Sequence, residues 1–164
     1  MLADALVADT EQDALLVALD GITDPHNLGA IIRSAAAFGA HGVVIPSRRS
    51  AAMTAAAWKA SAGAAARVPV AKTGNLNQFV ERAQRAGYVV VGLTGDAPTA
   101  VFDAPGVNGP TVLVVGAEGE GLSRLMRDRC DVLAGIAISS AVESLNASVA
   151  AAIALHEVAR ARQI

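Results

Sequence analysis

The chain has 164 residues, 53% of them hydrophobic and 17% charged, which argues against disorder and for one domain able to bury its own core. Aromatic residues make up only 3%, so that core must be built mainly from Ala, Val, Leu and Ile. A net charge of −2 is a weak footprint for a chain that grips nucleic acid unaided.

Residues 1–13 are acidic, mix polar with small residues, and read as a linker or a cut domain boundary, with 14–164 as the folded domain. LLVALD (15–20) reads as a buried strand closed by Gly21. NLGAIIRSAAAFG (27–39) reads as a helix that Asn27 can cap and Gly39 can end. GVVIP (42–46) is a second strand stopped by Pro46, and the segment from Thr54 is helix-prone. RVPVAK (67–72) is a short strand, and 75–87 is an amphipathic helix with Leu76, Phe79, Val80 and Ala83 on one side. YVVVGL (88–93) is a strand, followed by a Gly/Pro/Asp-rich loop from Thr94 to Pro110. VLVVG (112–116) is a strand, SRLMRDRC (123–130) a short helix, CDVLAGIAIS (130–139) a last strand region, and 144–161 a long final helix.

Strands alternating with helices predict an α/β domain with a mostly parallel sheet covered by helices on both faces. In such sheets ligands sit at the carboxyl ends of the strands. The candidate loops are therefore Asp20–Asn27, Thr94–Asp96, Gly116–Gly121 and Ile138–Asn146.

The glycine loop GAEGEG (116–121) needs its own reading. A P-loop requires Gly-Lys-Ser/Thr, and this loop has no lysine. A dinucleotide fingerprint requires Gly-x-Gly-x-x-Gly, whereas the spacing here is Gly116, Gly119, Gly121. Glu118 and Glu120 would oppose a pyrophosphate. The alternatives are a tight turn needing positive φ and a site for a ligand with a cationic centre, such as the sulfonium of S-adenosylmethionine.

One cysteine, Cys130, excludes an internal disulfide and offers no metal-ligand spacing; His26, His41 and His156 are scattered, so no metal is expected. No apolar run approaches the ~18 residues of a membrane span, and no basic segment precedes an apolar one at the N-terminus. The expectation is a soluble cytoplasmic protein. The arginine groups Arg48–Arg49, Arg82–Arg85 and Arg124–Arg127–Arg129 read as solvated surface.

Three ordered segments, DPHNLGAIIRSAAAFGAHGVVIP (24–46), VLVVGAEGEGLSRLM (112–126) and ESLNASVAAAIALHE (143–157), resemble the SpoU/TrmH family of RNA 2′-O-ribose methyltransferases, within the SPOUT superfamily. The likeness covers residues 15–160 and is greatest to the ribosomal RNA branch, including 23S enzymes. It implies a SPOUT fold with a C-terminal trefoil knot, a bent S-adenosylmethionine as cofactor, an RNA substrate (rRNA ahead of tRNA) and a homodimer with its site near the interface. The implied cofactor residues are Leu93, Thr94 and Gly95; Gly116, Glu118 and Gly121; and Ile136, Ile138 and Leu145. The implied catalytic residues are Asn27, Arg33, Glu118, Ser144 and Asn146.

Each of these has a structural alternative. Asn27, Ser144 and Asn146 can cap helices, Glu118 can offset a helix dipole, and Arg33 can be a surface residue. A guanidinium stays protonated, so Arg33 is read as stabilising a developing alkoxide or positioning an RNA phosphate. The third motif departs from the family pattern: Ala137 stands for proline, Ile138 for methionine and Ser140 for glycine. The rival functions are a tRNA 2′-O-methyltransferase and a non-catalytic RNA-binding or dimerisation module.

Overall fold

The computed structural model describes residues 2–8, 13–48 and 50–162. Six strands form one parallel sheet in the order β3-β2-β1-β5-β4-β6. They are β1 (Leu15–Asp20), β2 (Gly42–Pro46), β3 (Val70–Thr73), β4 (Val89–Leu93), β5 (Thr111–Gly116) and β6 (Val132–Ala134). The helices are α1 (Leu2–Ala8), α2 (Pro25–Ala37), α3 (Ala55–Ala60), α4 (Leu76–Arg85), α5 (Arg124–Arg129) and α6 (Ala147–Ala161).

The central strands are buried on both faces, so side-chain alternation divides the core in two. Leu15, Val17 and Leu19 join a cluster with Leu28, Ile31 and Ile32 of α2, Ala57 of α3 and Leu155 of α6. Leu16 and Ala18 join the opposite cluster with Ala3 and Val7 of α1, Phe79 and Val80 of α4 and Met126 of α5. Small residues let these layers approach. A Cβ on Gly29 would collide with Ala57 O and lie 2.6 Å from Ala60 Cβ, so glycine there seats α3 directly on α2.

Several boundaries differ from those expected. α2 starts at Pro25, with Asp24 as its cap accepting from His26 N at 2.8 Å. Proline at the first helical position is pre-set for a helix, which places Asn27 inside the first turn rather than at the cap. The strand region expected over 130–139 shrinks to β6, because from Gly135 the chain leaves β4 for the 94–100 loop. Thr94 N donates to Ala134 O at 2.9 Å, and Gly135 N donates to Thr99 O at 2.8 Å. A side chain on Gly135 would stand 2.8 Å from Thr94 O, so only glycine permits that passage. α6 starts at Ala147 with Asn146 as its cap, so Ser144 caps nothing.

Residues 2–8, expected within a linker, form α1. Ala3 and Val7 are buried, Asp4 pairs with Arg82 at 2.8 Å, and Tyr88 Oη donates to Leu6 O at 3.3 Å. Residues 1 and 9–12 of that expected linker, and Arg49 of the expected arginine pair, lie outside the described residues. No helix among the described residues is long and apolar enough to cross a membrane.

Candidate functional site

A cavity of about 180 Å³ opens at the carboxyl ends of β4, β5 and β6. β4 pairs with both β5 and β6, so the segments leaving these three strands emerge side by side. The first contributes Leu93, Thr94 and Gly95, the second Gly116, Glu118 and Gly121, and the third Ile136, Ile138 and Leu145. All nine positions expected at a cofactor thus line one space. Ala117, Gly119 and Glu143, within the expected loops Gly116–Gly121 and Ile138–Asn146, line it too, whereas Val115, Ala147 and Ala150 lie outside the expected loops. Ala150 lies one helical turn beyond Asn146, and that spacing was the available signal.

The middle loop is shaped by its own backbone. Ala117 N donates to Gly121 O at 3.1 Å, and Gly121 N donates to Ala117 O at 2.7 Å. Gly119 and Gly121 hold φ of +80° and +70°, the left-handed region open to glycine. A Cβ on Gly116 would collide with Gly121 and lie 2.5 Å from Leu122 N. The close approach at Gly116 is therefore made by the returning loop. Asp20, at the end of β1, accepts from Ser123 N at 2.8 Å, and Ser123 Oγ accepts from Met126 N to cap α5. These contacts anchor the exit of the loop.

Asn146 is the hub of the polar cluster. Its Oδ1 accepts from Ser148 N at 2.9 Å and Val149 N at 3.2 Å, capping α6. Its Nδ2 donates to Asn27 Oδ1 at 3.2 Å and to Glu118 Oε2 at 3.3 Å. One amide thus joins residues 119 and 28 positions away in the chain. Glu118 lies six residues ahead of α5 and bonds Asn146, so it does not sit at that helix terminus. Ser144 lines the cavity as an exposed loop residue.

Arg33 is placed apart. It is exposed and lines a second concavity, with Arg67 and the Ser61–Gly63 turn. Helix geometry explains this: six residues along α2 separate Arg33 from Asn27 by about 9 Å of rise and about 120° of rotation. Arg33 does not line the cavity, and Asn27 connects to it only through Asn146 and Glu118. His26 contributes only its backbone N–H to the Asp24 cap.

The rim carries further electrostatic structure. Asp96 pairs with Arg127 of α5 at 2.8 Å. The bond from that guanidinium, with the neighbouring Thr94 hydroxyl, holds the Asp96 carboxyl below its usual range. Burial, then the Asp131 and Asp20 carboxylates, pushes the Cys130 thiol up to about 12. In the third segment Ile138 and Val142 are 39% and 53% exposed. Among the described residues no group of three or more His, Cys, Asp or Glu side chains gathers to hold a metal.

The model of the SpoU rRNA methylase family matches residues 14–156. A Mycolicibacterium gilvum protein named as an uncharacterized tRNA/rRNA methyltransferase is 54% identical over 164 residues, covering 98% of this chain and 52% of its own length. The chain therefore spans about half the length of the curated relatives it matches. The structure of the SpoU methyltransferase AviRb from Streptomyces viridochromogenes is similar with a TM-score of 0.86 and 34% identity, over 98% of this chain and 63% of that one. The complex of AviRb with AdoMet gives 0.85 and 34%, over 93% and 59%. An RNA 2′-O ribose methyltransferase structure gives 0.84 and 26%, over 94% and 59%.

Proposed function

From the SpoU rRNA methylase family, to which this chain belongs by its match over residues 14–156, we propose that it methylates the 2′-hydroxyl of a ribose in RNA with S-adenosylmethionine. The observation that carries this reading is one cavity closed by three strand-exit segments and joined to the Asn27–Asn146–Glu118 cluster.

The cavity fits that cofactor chemically. Its lining includes two carboxylates, Glu118 and Glu143, and neither lysine nor arginine. The rest is small or apolar side chains and glycine backbone, which suits a thioether chain, an adenine and cationic groups while disfavouring a pyrophosphate. S-adenosylmethionine, when bound, supplies an electrophilic methyl group. Leu93–Gly95 and Ile136–Leu145 would hold it from two sides, with the middle loop as the floor.

The polar residues divide the remaining work. Asn27 and Asn146 orient the ribose hydroxyls at the cavity edge, and Glu118 fixes the Asn146 amide. The hydroxyl's proton passes to Glu118 or to solvent at the open mouth. Arg33 stays protonated and stands away from this cavity, so it holds an RNA phosphate beside the reacting ribose. Ser144 shapes the third segment.

The substrate in this reading is ribosomal RNA, in keeping with the family's description; the relatives named for both tRNA and rRNA keep tRNA as the second reading. The chain acts as a homodimer. Val149 and Ile153, four residues apart on α6 and 46% and 37% exposed, offer an apolar stripe for a second copy. The passage of Gly135 against the 94–100 loop is where the chain would thread to form the knot.

The test is transfer of labelled methyl groups to purified ribosomal RNA and tRNA. The reading expects incorporation into ribosomal RNA, lost in Arg33→Ala, while calorimetry still shows cofactor binding by that variant. Loss of cofactor affinity in Arg33→Ala would overturn the role given to Arg33.

A further inference from the structure

We propose that Arg67, together with Arg33, forms a two-arginine cradle for the phosphodiester backbone of the RNA. The proposal rests on the methyltransferase reading above and adds a residue to it. Both guanidinium-bearing residues line one concavity of about 560 Å³ between α2 and the chain that follows α3. No carboxylate lines that concavity. Among the described residues, neither Arg33 nor Arg67 makes a hydrogen bond or ion pair through its side chain. Arg82, Arg127, Arg129 and Arg160 by contrast pair with Asp4, Asp96, Glu81 and Glu157.

The backbone that delivers Arg67 is well held. Glycine at position 29 lets α3 lie against α2. Ala62 and Gly63 then take positive φ of 53° and 83°, turning the chain sharply back along α2. The short 3₁₀ turn Ala64–Ala66 follows, and Arg67 N and Val68 N both donate to Ala64 O, at 2.8 and 3.0 Å. Val68 is buried, so Arg67 projects from a fixed point.

Two cations sharing one concave surface repel each other until an anion sits with them. Guanidinium forks match phosphate oxygens in geometry and charge. The cradle starts about 9 Å along α2 from Asn27 and about 120° around it, so it would take the backbone where the RNA continues past a nucleotide held at the Asn27–Asn146 cluster. It also answers the charge problem: a chain of net charge −2 needs local unpaired cations to hold RNA.

The experiment measures binding of a fluorescein-labelled RNA stem–loop across a range of salt concentrations. It compares the unaltered protein with Arg67→Ala, Arg67→Lys and Arg85→Ala, an exposed arginine on α4 across the sheet. Arg67→Ala should weaken binding about five- to tenfold at 0.1 M salt and lower the log–log salt slope by ~0.9, the loss of one phosphate contact. Arg67→Lys should keep most of the affinity, Arg85→Ala should match the unaltered protein, and all should bind S-adenosylmethionine equally. An Arg67→Ala protein with unchanged affinity and slope would overturn the cradle, as would an equal loss in Arg85→Ala or no RNA binding by the unaltered protein. If the unaltered protein binds RNA through Arg67 yet neither binds S-adenosylmethionine nor transfers methyl groups, the enzymatic reading falls while the cradle stands.

Discussion

Replacing Asn146 separates a structural role from a chemical one, because its two amide atoms do different things. Oδ1 caps α6 through Ser148 N and Val149 N, and Nδ2 bridges Asn27 to Glu118. Asn146→Ala removes both. Loss of an N-cap costs about 1 kcal/mol, and the exposed side-chain bridge adds little to that. For a domain of this size about 1 kcal/mol lowers Tm by roughly 2–4 °C. Asn146→Asp keeps the cap and removes only the donor. A second carboxylate near Glu118 costs about 1 kcal/mol in water, offset by ~0.3–1 kcal/mol of favourable interaction with the α6 N-terminus. Its Tm should therefore stay near that of the unaltered protein. Both variants should lose methyl transfer, because both lose the amide that holds Asn27 and Glu118 together. Thermal melts and transfer assays on the same preparations decide the matter. Full activity in Asn146→Asp would refute the claim that the Nδ2 bridge organises the site.

Arg162→Ala should lower Tm by about 5–15 °C, equivalent to roughly 2–4 kcal/mol, because this guanidinium donates to Val107 O at 2.9 Å, Gly109 O at 2.6 Å and Asp13 O. Differential scanning calorimetry would read the shift, and Arg162→Lys should recover only part of it, since an ammonium cannot span the same carbonyls. Gly116→Val should weaken S-adenosylmethionine binding at least tenfold by calorimetry, because its side chain meets the Gly121–Leu122 backbone and must displace the loop. The Cys130 thiol, raised from 9.0 to about 12, should resist iodoacetamide at pH 8 until the protein is unfolded. Because the folded form keeps its proton longer than the unfolded one, stability should fall as pH rises from about 9 towards 12. Cys130→Ala should flatten that part of the pH profile in denaturant titrations.

How far the fold could be read in advance varied with how local its causes were. LLVALD and GVVIP became β1 and β2 at the expected bounds because continuous apolar runs end in Gly or Pro there. The buried set of α4, Leu76, Phe79, Val80 and Ala83, follows from helical periodicity alone. Local signals failed where two of them competed. Asn27 resembles a cap, but Asp24 followed by Pro25 starts the helix sooner and frees Asn27 for Asn146. The acidic composition of residues 1–13 hid the Ala3–Val7 spacing that buries α1. The apolar run to Ser139 overstated β6, because the contact with the 94–100 loop, not hydrophobicity, ends that strand.

The loops of the candidate site were legible from the rule that ligands sit at the carboxyl ends of parallel strands, but its individual residues only through the family resemblance. Nothing local announces that residues near 94, 118 and 138 meet; the sheet order β5-β4-β6 brings them together. The bridge at Asn146 and the clasp of Arg162 join segments 119 and 149 positions apart. Arg67 carried no signal beyond its charge, since its meaning depends on the turn at Ala62 and Gly63 that brings it to Arg33.

The most direct test of the central claim is the position of the transferred methyl group. Ribosomal RNA treated with the protein and labelled S-adenosylmethionine is hydrolysed in alkali, which cleaves only where a 2′-hydroxyl is free. The account predicts label retained in an alkali-resistant dinucleotide, with one modified ribose. Label released on a base-modified mononucleotide, or no transfer despite cofactor binding, would contradict it.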